Sequence, residues 1–180
     1  LGAYCFSKTD ITKITIPPLT KSIGIGAFFE CKKLEKVKFS NSSKVEILHD
    51  KAFAKTGIKE IQLPSTLIEI GNECFYECSY LEKVEISDNS KLKIIGDCAF
   101  CDTIIKEISI PMHVTKIGDR AFNEKLSNVI LSEKSELISI GKNAFYHSLI
   151  TDIKIPKSVE YIGQYAFAFT TKLNTFELPD

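Results

Sequence analysis

No run of eighteen apolar residues occurs in this 180-residue sequence, so nothing in it reads as a membrane-spanning helix. Neither sign of charge prevails: 23 Lys and Arg offset 23 Asp and Glu, for a formal net charge of zero. That balance removes any global electrostatic case for nucleic acid or an anionic bilayer. A convergent nucleophile, base and acid are also missing. His49, His113 and His147 lie far apart in the chain and share no neighbouring motif, whereas a triad or a metal centre needs convergence. The glycines recur singly and form no phosphate-cradling loop. No cofactor and no reaction are indicated, and the sequence is read as that of a non-enzyme.

Apolar residues make up 44% of the chain and charged residues 26%. That is enough to build a continuous core and to solvate its surface, which argues against disorder. The charge is unevenly spread. Residues 1–60 carry eleven Lys against six acids, a net of +5. Residues 61–180 hold the remaining twelve cations and seventeen acids, a net of −5. An elongated protein would turn this into a basic end and an acidic end. The plainer reading is differently solvated faces.

A small residue followed by Phe recurs along the whole chain: Cys5-Phe6, Ala27-Phe28, Ala52-Phe53, Cys74-Phe75, Ala99-Phe100, Ala121-Phe122, Ala144-Phe145 and Ala166-Phe167. The Phe-to-Phe steps are 22, 25, 22, 25, 22, 23 and 22. The sequence is therefore expected to hold eight units of 22–25 residues. The alternation gives a larger period of 47, falling to 45 late in the chain, as if pairs of units had been duplicated together.

Within each unit an apolar residue, two others, an apolar, one other and an apolar recur, as in Ile11/Ile14/Ile16, Leu34/Val37/Phe39 and Leu81/Val84/Ile86. Alternation and β-branching predict a very short strand at the end of each such run. Odd units end it in Pro17, Pro64, Pro111 and Pro156. Proline lacks a donor and so stops a strand. Even units mostly use polar loops instead, such as Ser40-Asn41-Ser42-Ser43 and Ser87-Asp88-Asn89-Ser90. A second apolar pair then precedes Gly, as in Leu92/Ile95-Gly96 and Val114/Ile117-Gly118. Glycine there suggests positive φ or a close backbone approach. One unit has His49 in that column, a type that tolerates left-handed geometry at the expense of some strain. A unit of about 23 residues cannot bury its own apolar face, so the units must stack, Phe on Phe and Ile on Ile. A HEAT-type helical array of similar period is excluded, because each half-period holds a strand-like run, a Pro or Ser turn and a Gly.

Residues 105–122 carry Ile105, Ile108, Ile110, Pro111, Val114, Ile117, Gly118, Ala121 and Phe122 in fixed spacing. This string resembles the BspA-like, or Treponema-type, leucine-rich repeat, and the resemblance extends over essentially all 180 residues. It implies an α/β right-handed leucine-rich-repeat solenoid, with a parallel β-sheet of short strands on one face and single helical or 3-10 turns on the other. It also implies a cell-surface or secreted protein that binds host or matrix proteins in adhesion, with no shared catalytic motif. The alternating longer loops, the late 45-residue spacing and Thr20 in place of the usual valine depart from the pattern.

Residues 1–180 are expected to form one solenoid segment, cut within a repeat at Leu1-Gly2 and again at Pro179-Asp180. Uncapped end units invite end-to-end self-association.

Of six cysteines, Cys5 and Cys74 fill the alanine column, and Cys31 and Cys78 lie three residues after Phe. Packing accounts for these four as small buried residues. The competing chemistry is a zinc site of Cys74 and Cys78 with Cys98 and Cys101, or a disulfide from Cys98 or Cys101 to a neighbouring unit. Asn41-Ser42-Ser43 is a glycosylation sequon on an expected exposed loop.

Residues flanking the middle apolar position of each strand point away from the core. One column reads Lys13, Lys36, Glu60, Lys83, Glu107, Asn128, Asp152, Thr175 and the next Thr15, Lys38, Gln62, Glu85, Ser109, Ile130, Lys154, Glu177. This face is the candidate partner-binding surface, since solenoids commonly bind along it. It holds none of the Trp, Tyr or Arg that dominate binding hot spots. The competing reading is a cross-strand charge ladder that keeps the sheet soluble. Eight strands about 4.8 Å apart make a sheet about 35–40 Å long. Its area, about 500 Å², falls short of the roughly 800 Å² per partner of a standard interface. The tyrosines Tyr76, Tyr80, Tyr146, Tyr161 and Tyr165 cluster near the Phe turn and make that edge a rival site. The partner expected is a protein, with an intracellular scaffold or a structural spacer as the alternatives to an adhesin.

Overall fold

The computed structural model describes residues 1–122 and 124–178. Pro179 and Asp180, read above as the cut end of the last unit, lie outside the described residues.

The chain winds as a parallel β-solenoid of about seven turns. One face carries β1 (Lys13–Ile16), β3 (Lys36–Phe39), β5 (Glu60–Gln62), β7 (Lys83–Glu85), β9 (Glu107–Ile110), β11 (Asn128–Leu131), β13 (Asp152–Lys154) and β15 (Thr175–Glu177). Between them in chain order lie two-residue strands: β2 (Ser22–Ile23), β4 (Ile47–Leu48), β6 (Glu69–Ile70), β8 (Ile94–Ile95), β10 (Lys116–Ile117), β12 (Ser139–Ile140) and β14 (Tyr161–Ile162). These seven form one continuous parallel sheet. Among the described residues there is no helix; the opposite side of each coil turns through i→i+3 backbone bonds such as Ala27 to Gly24 and Cys31 to Phe28. The last residue of each second apolar pair, Ile95 for example, is β-branched in every coil but that of Leu48, and Ile95 is fully buried. It pairs with the same residue of the next coil, and no helix forms.

The first column is not one eight-stranded sheet. It divides into four parallel pairs, β1-β3, β5-β7, β9-β11 and β13-β15. The breaks fall where a longer even coil meets the next odd one. Phe39 to Leu48 takes nine residues and Ile16 to Ile23 takes seven. The added length lets β3, β7 and β11 follow the preceding strand and part from the next.

The core is a stack of like on like. The rings of Phe6, Phe28, Phe53, Phe75, Phe100, Phe122, Phe145 and Phe167 lie in succession, with centroids 5.1–5.6 Å apart and neighbouring planes within 14°. Each offset ring pair adds about 0.5–1.5 kcal/mol beyond its burial. Phe6 and Phe167, with one neighbouring coil each, are only partly buried, while Phe28 to Phe100 are fully enclosed.

The glycine column marks a close approach. A methyl group on Gly96 would sit 2.7 Å from the Asn72 amide nitrogen, and one on Gly118 would sit 2.5 Å from the Gly96 carbonyl carbon. Neither glycine has positive φ, and His49, expected to be left-handed, does not either. The residue after each member of this column, His49 included, ties successive coils together: Asp50 accepts the Asn72 N–H, Asn72 the Asp97 N–H, and Asp97 the Asp119 N–H, at 2.8–2.9 Å.

The left-handed residues lie instead in two columns that flank the phenylalanines. Lys51, Glu73, Cys98, Arg120, Asn143 and Tyr165 precede them. Lys55, Glu77, Asp102, His147 and Phe169 follow them, all with φ of 50–60°. Such backbone is unfavourable for L-residues by about 1–2 kcal/mol each. In this stretch every second amide is aimed along the solenoid axis at the next coil. Lys51, Phe53 and Lys55 donate to the carbonyls of Asn72, Cys74 and Tyr76 in the next coil at 2.8–2.9 Å. These bonds satisfy backbone that would otherwise be unpaired in the turn and so offset the strain.

Candidate functional site

Two surfaces carry side chains that the core does not need. On the strand face, the middle apolar residues Val37, Ile61, Val84, Ile108, Val129 and Ile153 are buried. Their neighbours alternate outward. Lys13, Thr15, Lys36, Lys38, Glu60, Gln62, Lys83 and Glu85 are exposed. So are Glu107, Asn128, Ile130, Asp152, Lys154, Thr175 and Glu177, while Ser109 is half-buried.

Register decides which of these meet. Lys13 lies opposite Lys36 and Thr15 opposite Lys38. Among the described residues none of these three lysines has an ion pair. Glu60 faces Lys83, which pairs with Glu85 on its own strand, and this carboxylate raises the Lys83 pKa. Asn128 donates to Glu107 at 2.7 Å. Lys154 lies opposite Glu177. The strand face is thus compensated from β5 onward and basic at β1 and β3. Where the sheet parts after β3, a cleft of about 570 Å³ opens with Lys36 and Lys38 on one side and Glu60, Gln62, Lys83 and Glu85 of β5 and β7 on the other.

The turn ridge is the second surface. Its left-handed columns begin as ion pairs between adjacent coils: Lys8–Glu30 at 3.8 Å, Lys51–Glu73 at 3.5 Å and Lys55–Glu77 at 3.3 Å. Toward the other end the same columns hold His147, Tyr165 and Phe169. The Phe169 ring stacks on His147 at 4.9 Å and meets Tyr146 edge-on at 5.3 Å. Tyr165 and Phe169 are 55% and 59% exposed, so the aromatic end of the ridge is not core. The aromatic positions were legible in sequence for Tyr146 and Tyr165. Arg120 and Phe169 were not, because only the stacking of coils brings them beside the tyrosines.

Beneath the ridge runs a ladder of small polar side chains three residues after Phe. The Thr56 hydroxyl and the Cys78 thiol both donate to the Phe53 carbonyl, at 2.9 and 3.0 Å. Cys31 likewise donates to the Phe6 carbonyl at 2.9 Å. Burial raises the Cys74 pKa well above its ordinary value and pushes Cys78 up to about 11. Buried thiols of this kind are poor nucleophiles.

The four cysteines of the alternative zinc reading do not converge. Cys78 points toward the preceding coil, while Cys101 donates to the Arg120 carbonyl of the following one at 2.8 Å. Among the described residues no three His, Cys, Asp or Glu side chains are placed to hold a metal ion, and all six cysteines are free. The histidines are equally dispersed: His113 lies 3.1 Å from Glu136, and His147 lies on the ridge. No helix among the described residues is long and apolar enough to cross a membrane.

The chain matches the BspA type leucine rich repeat region family, in six copies over residues 1–128 and 93–180. No curated protein matches it. Among solved structures it is similar to the pneumococcal vaccine antigen PcpA, with 25% identity over 93% of this chain and 51% of that one, and a TM-score of 0.72. A leucine-rich repeat protein from Bacteroides ovatus is 26% identical over 94% of this chain and 50% of its own, also with a TM-score of 0.72. The chain thus spans about half the length of both. The leucine rich repeat protein of T. pallidum shares the fold at 19% identity and a TM-score of 0.65, over 97% of this chain and 71% of that one.

Proposed function

Because this chain belongs to the BspA-type leucine-rich-repeat family, we propose that it is a non-catalytic protein-binding module of a cell-surface or secreted adhesin. The observation that carries the reading is the row of exposed, uncompensated lysines Lys13, Lys36 and Lys38 on β1 and β3. Like charges directly opposite, as Lys13 and Lys36 are, destabilise a sheet, so cross-strand pairing does not favour this arrangement. An acidic surface on a partner protein would neutralise it and would speed encounter. The whole strand face, Lys13 to Glu177, is the surface assigned to the partner, with a host or matrix protein as that partner. Its modest area means that loops or neighbouring coils must join the contact.

Counting eight units from the eight phenylalanines, within a single solenoid segment, is part of the same reading. The likeness to a vaccine antigen, a kind of protein that antibodies must reach, supports a surface location.

The test is an antibody raised against the chain and applied to intact, unpermeabilised source cells. Surface labelling together with loss of attachment to matrix-coated plates is the expected result. Labelling only after permeabilisation would sink the adhesin and leave an intracellular scaffold. Labelling with attachment unchanged would favour a structural spacer.

A further inference from the structure

The sixth coil, that of Phe122, is short. Even coils take six residues from Phe to the next strand's first apolar position, as in Phe28 to Leu34, Phe75 to Leu81 and Phe167 to Leu173. Phe122 reaches Leu126 in four. Three residues after Phe, where the other coils carry the small polar residue of the buried ladder, this coil has Lys125. Ser148, the next member of that ladder, is 1% exposed and its hydroxyl has no partner among the described residues. On the outside, the ridge holds a cleft of about 740 Å³ lined by the fifth to eighth coils. Sites for small ligands span about 300–1,000 Å³. The cleft alone is too small for a standard protein interface.

Its lining is unlike the rest of the ridge. Tyr146, Tyr165 and Phe169 form one wall, with Arg120, Asn143 and Asp102 around it. Elsewhere the same columns hold mostly lysine and glutamate, with Tyr4, Gly26 and Cys98 as the exceptions and Tyr4 the one aromatic. Bulky residues are out of place in left-handed backbone, yet Tyr165 and Phe169 have φ of 60° and 59° and contribute little to the core. Arg120 is the only arginine of the chain, and its guanidinium has no ion pair or hydrogen bond among the described residues. The charges around the cleft cancel, Arg120 and Lys125 against Asp102 and Glu124. A strongly charged ligand would therefore find no net attraction. An uncharged ligand with one apolar face and an edge of hydroxyls would match both parts of the wall. Its carbon-bound face would lie on the aromatic rings. Its hydroxyls would accept from the Arg120 guanidinium and donate to the Asn143 carbonyl and the Asp102 carboxylate.

We propose that the notch at the sixth coil is a binding site for a neutral oligosaccharide, separate from the strand face. The test is titration of the isotope-labelled chain with maltotriose, cellotriose or triacetylchitotriose at millimolar concentration, followed by amide chemical shifts. At least one of these sugars should shift the amides of residues 101–103, 120–122, 143–147 and 165–169 saturably. Tyr165→Asn and Arg120→Asn should each weaken it by about tenfold or more. Asparagine is chosen because it tolerates positive φ, and far-UV circular dichroism checks that each variant folds. If either does not fold, the shift map on the unaltered chain decides. The proposal is overturned if none of the three sugars perturbs the notch, or if both folded variants bind unchanged. Preference of the notch for a sulfated oligosaccharide or an acidic peptide over every neutral sugar would overturn it as well.

Discussion

The Thr56 hydroxyl lies 3.3 Å from the Cys78 thiol one coil further on, and both donate to the Phe53 carbonyl. One carbonyl in the turn, with two lone pairs, is thereby satisfied from its own coil and from the next. Cys78→Ala removes the bond between the coils and a buried sulfur atom. It should lower stability by about 1–3 kcal/mol in denaturant melts. A loss under a few tenths of a kcal/mol would mean that the ladder is incidental to stacking.

The same thiol makes stability depend on alkaline pH. Burial lifts Cys78 from 9.0 to about 11, so ionising it is harder in the folded chain than in the unfolded one. Its contribution is complete below about pH 9 and is lost as pH rises through 11, a change of about 3 kcal/mol. Denaturation midpoints should therefore fall between pH 8 and pH 11, and less steeply in Cys78→Ala. Identical slopes for the two proteins would contradict this assignment.

Gly96→Ala should be harmful although glycine is usually a weak point in regular structure. The new methyl group would meet the backbone of Gly71 and Asn72 at 2.7 Å and force the coils apart. About 1–3 kcal/mol is expected from such overpacking, read as a lower melting temperature. An unchanged or raised value would show that the coils can separate freely at that point.

The phenylalanine stack should be strongest in its middle. Phe100→Ala, with the ring fully enclosed, should destabilise by about 3–5 kcal/mol. Phe167→Ala should do less, because that ring is only partly buried and has one flanking coil. Equal losses at the two positions would argue against a stack whose stability is a sum of neighbouring contacts.

Much of this fold is legible because stacking repeats each local choice. The Phe column, the alternation around Val84 and Ile108, and the prolines that end odd strands all follow from spacing, and the structure has them where spacing puts them. The ridge is less legible. Glu73, Cys98 and Arg120 are not residue types that favour positive φ, and bonds between coils impose it on them. The glycines could be read two ways, and only the distance from Gly96 to Asn72 decides for close approach. The parting of the first sheet is latent in the 22- and 25-residue steps, but it needs two adjacent coils to appear. On the strand face, the outward residues are plain from the pleat. That Lys13 meets Lys36 depends on register, which no single unit contains.

The most direct measurement is binding of a bead-coupled chain to matrix-coated surfaces, comparing three proteins. They are the unaltered chain, a strand-face variant carrying Lys13→Glu, Lys36→Glu and Lys38→Glu, and the ridge variant Tyr165→Asn. Retention lost in the strand-face variant, kept in the ridge variant and weakened by added salt is the predicted result. Equal retention of all three would contradict a partner-binding strand face.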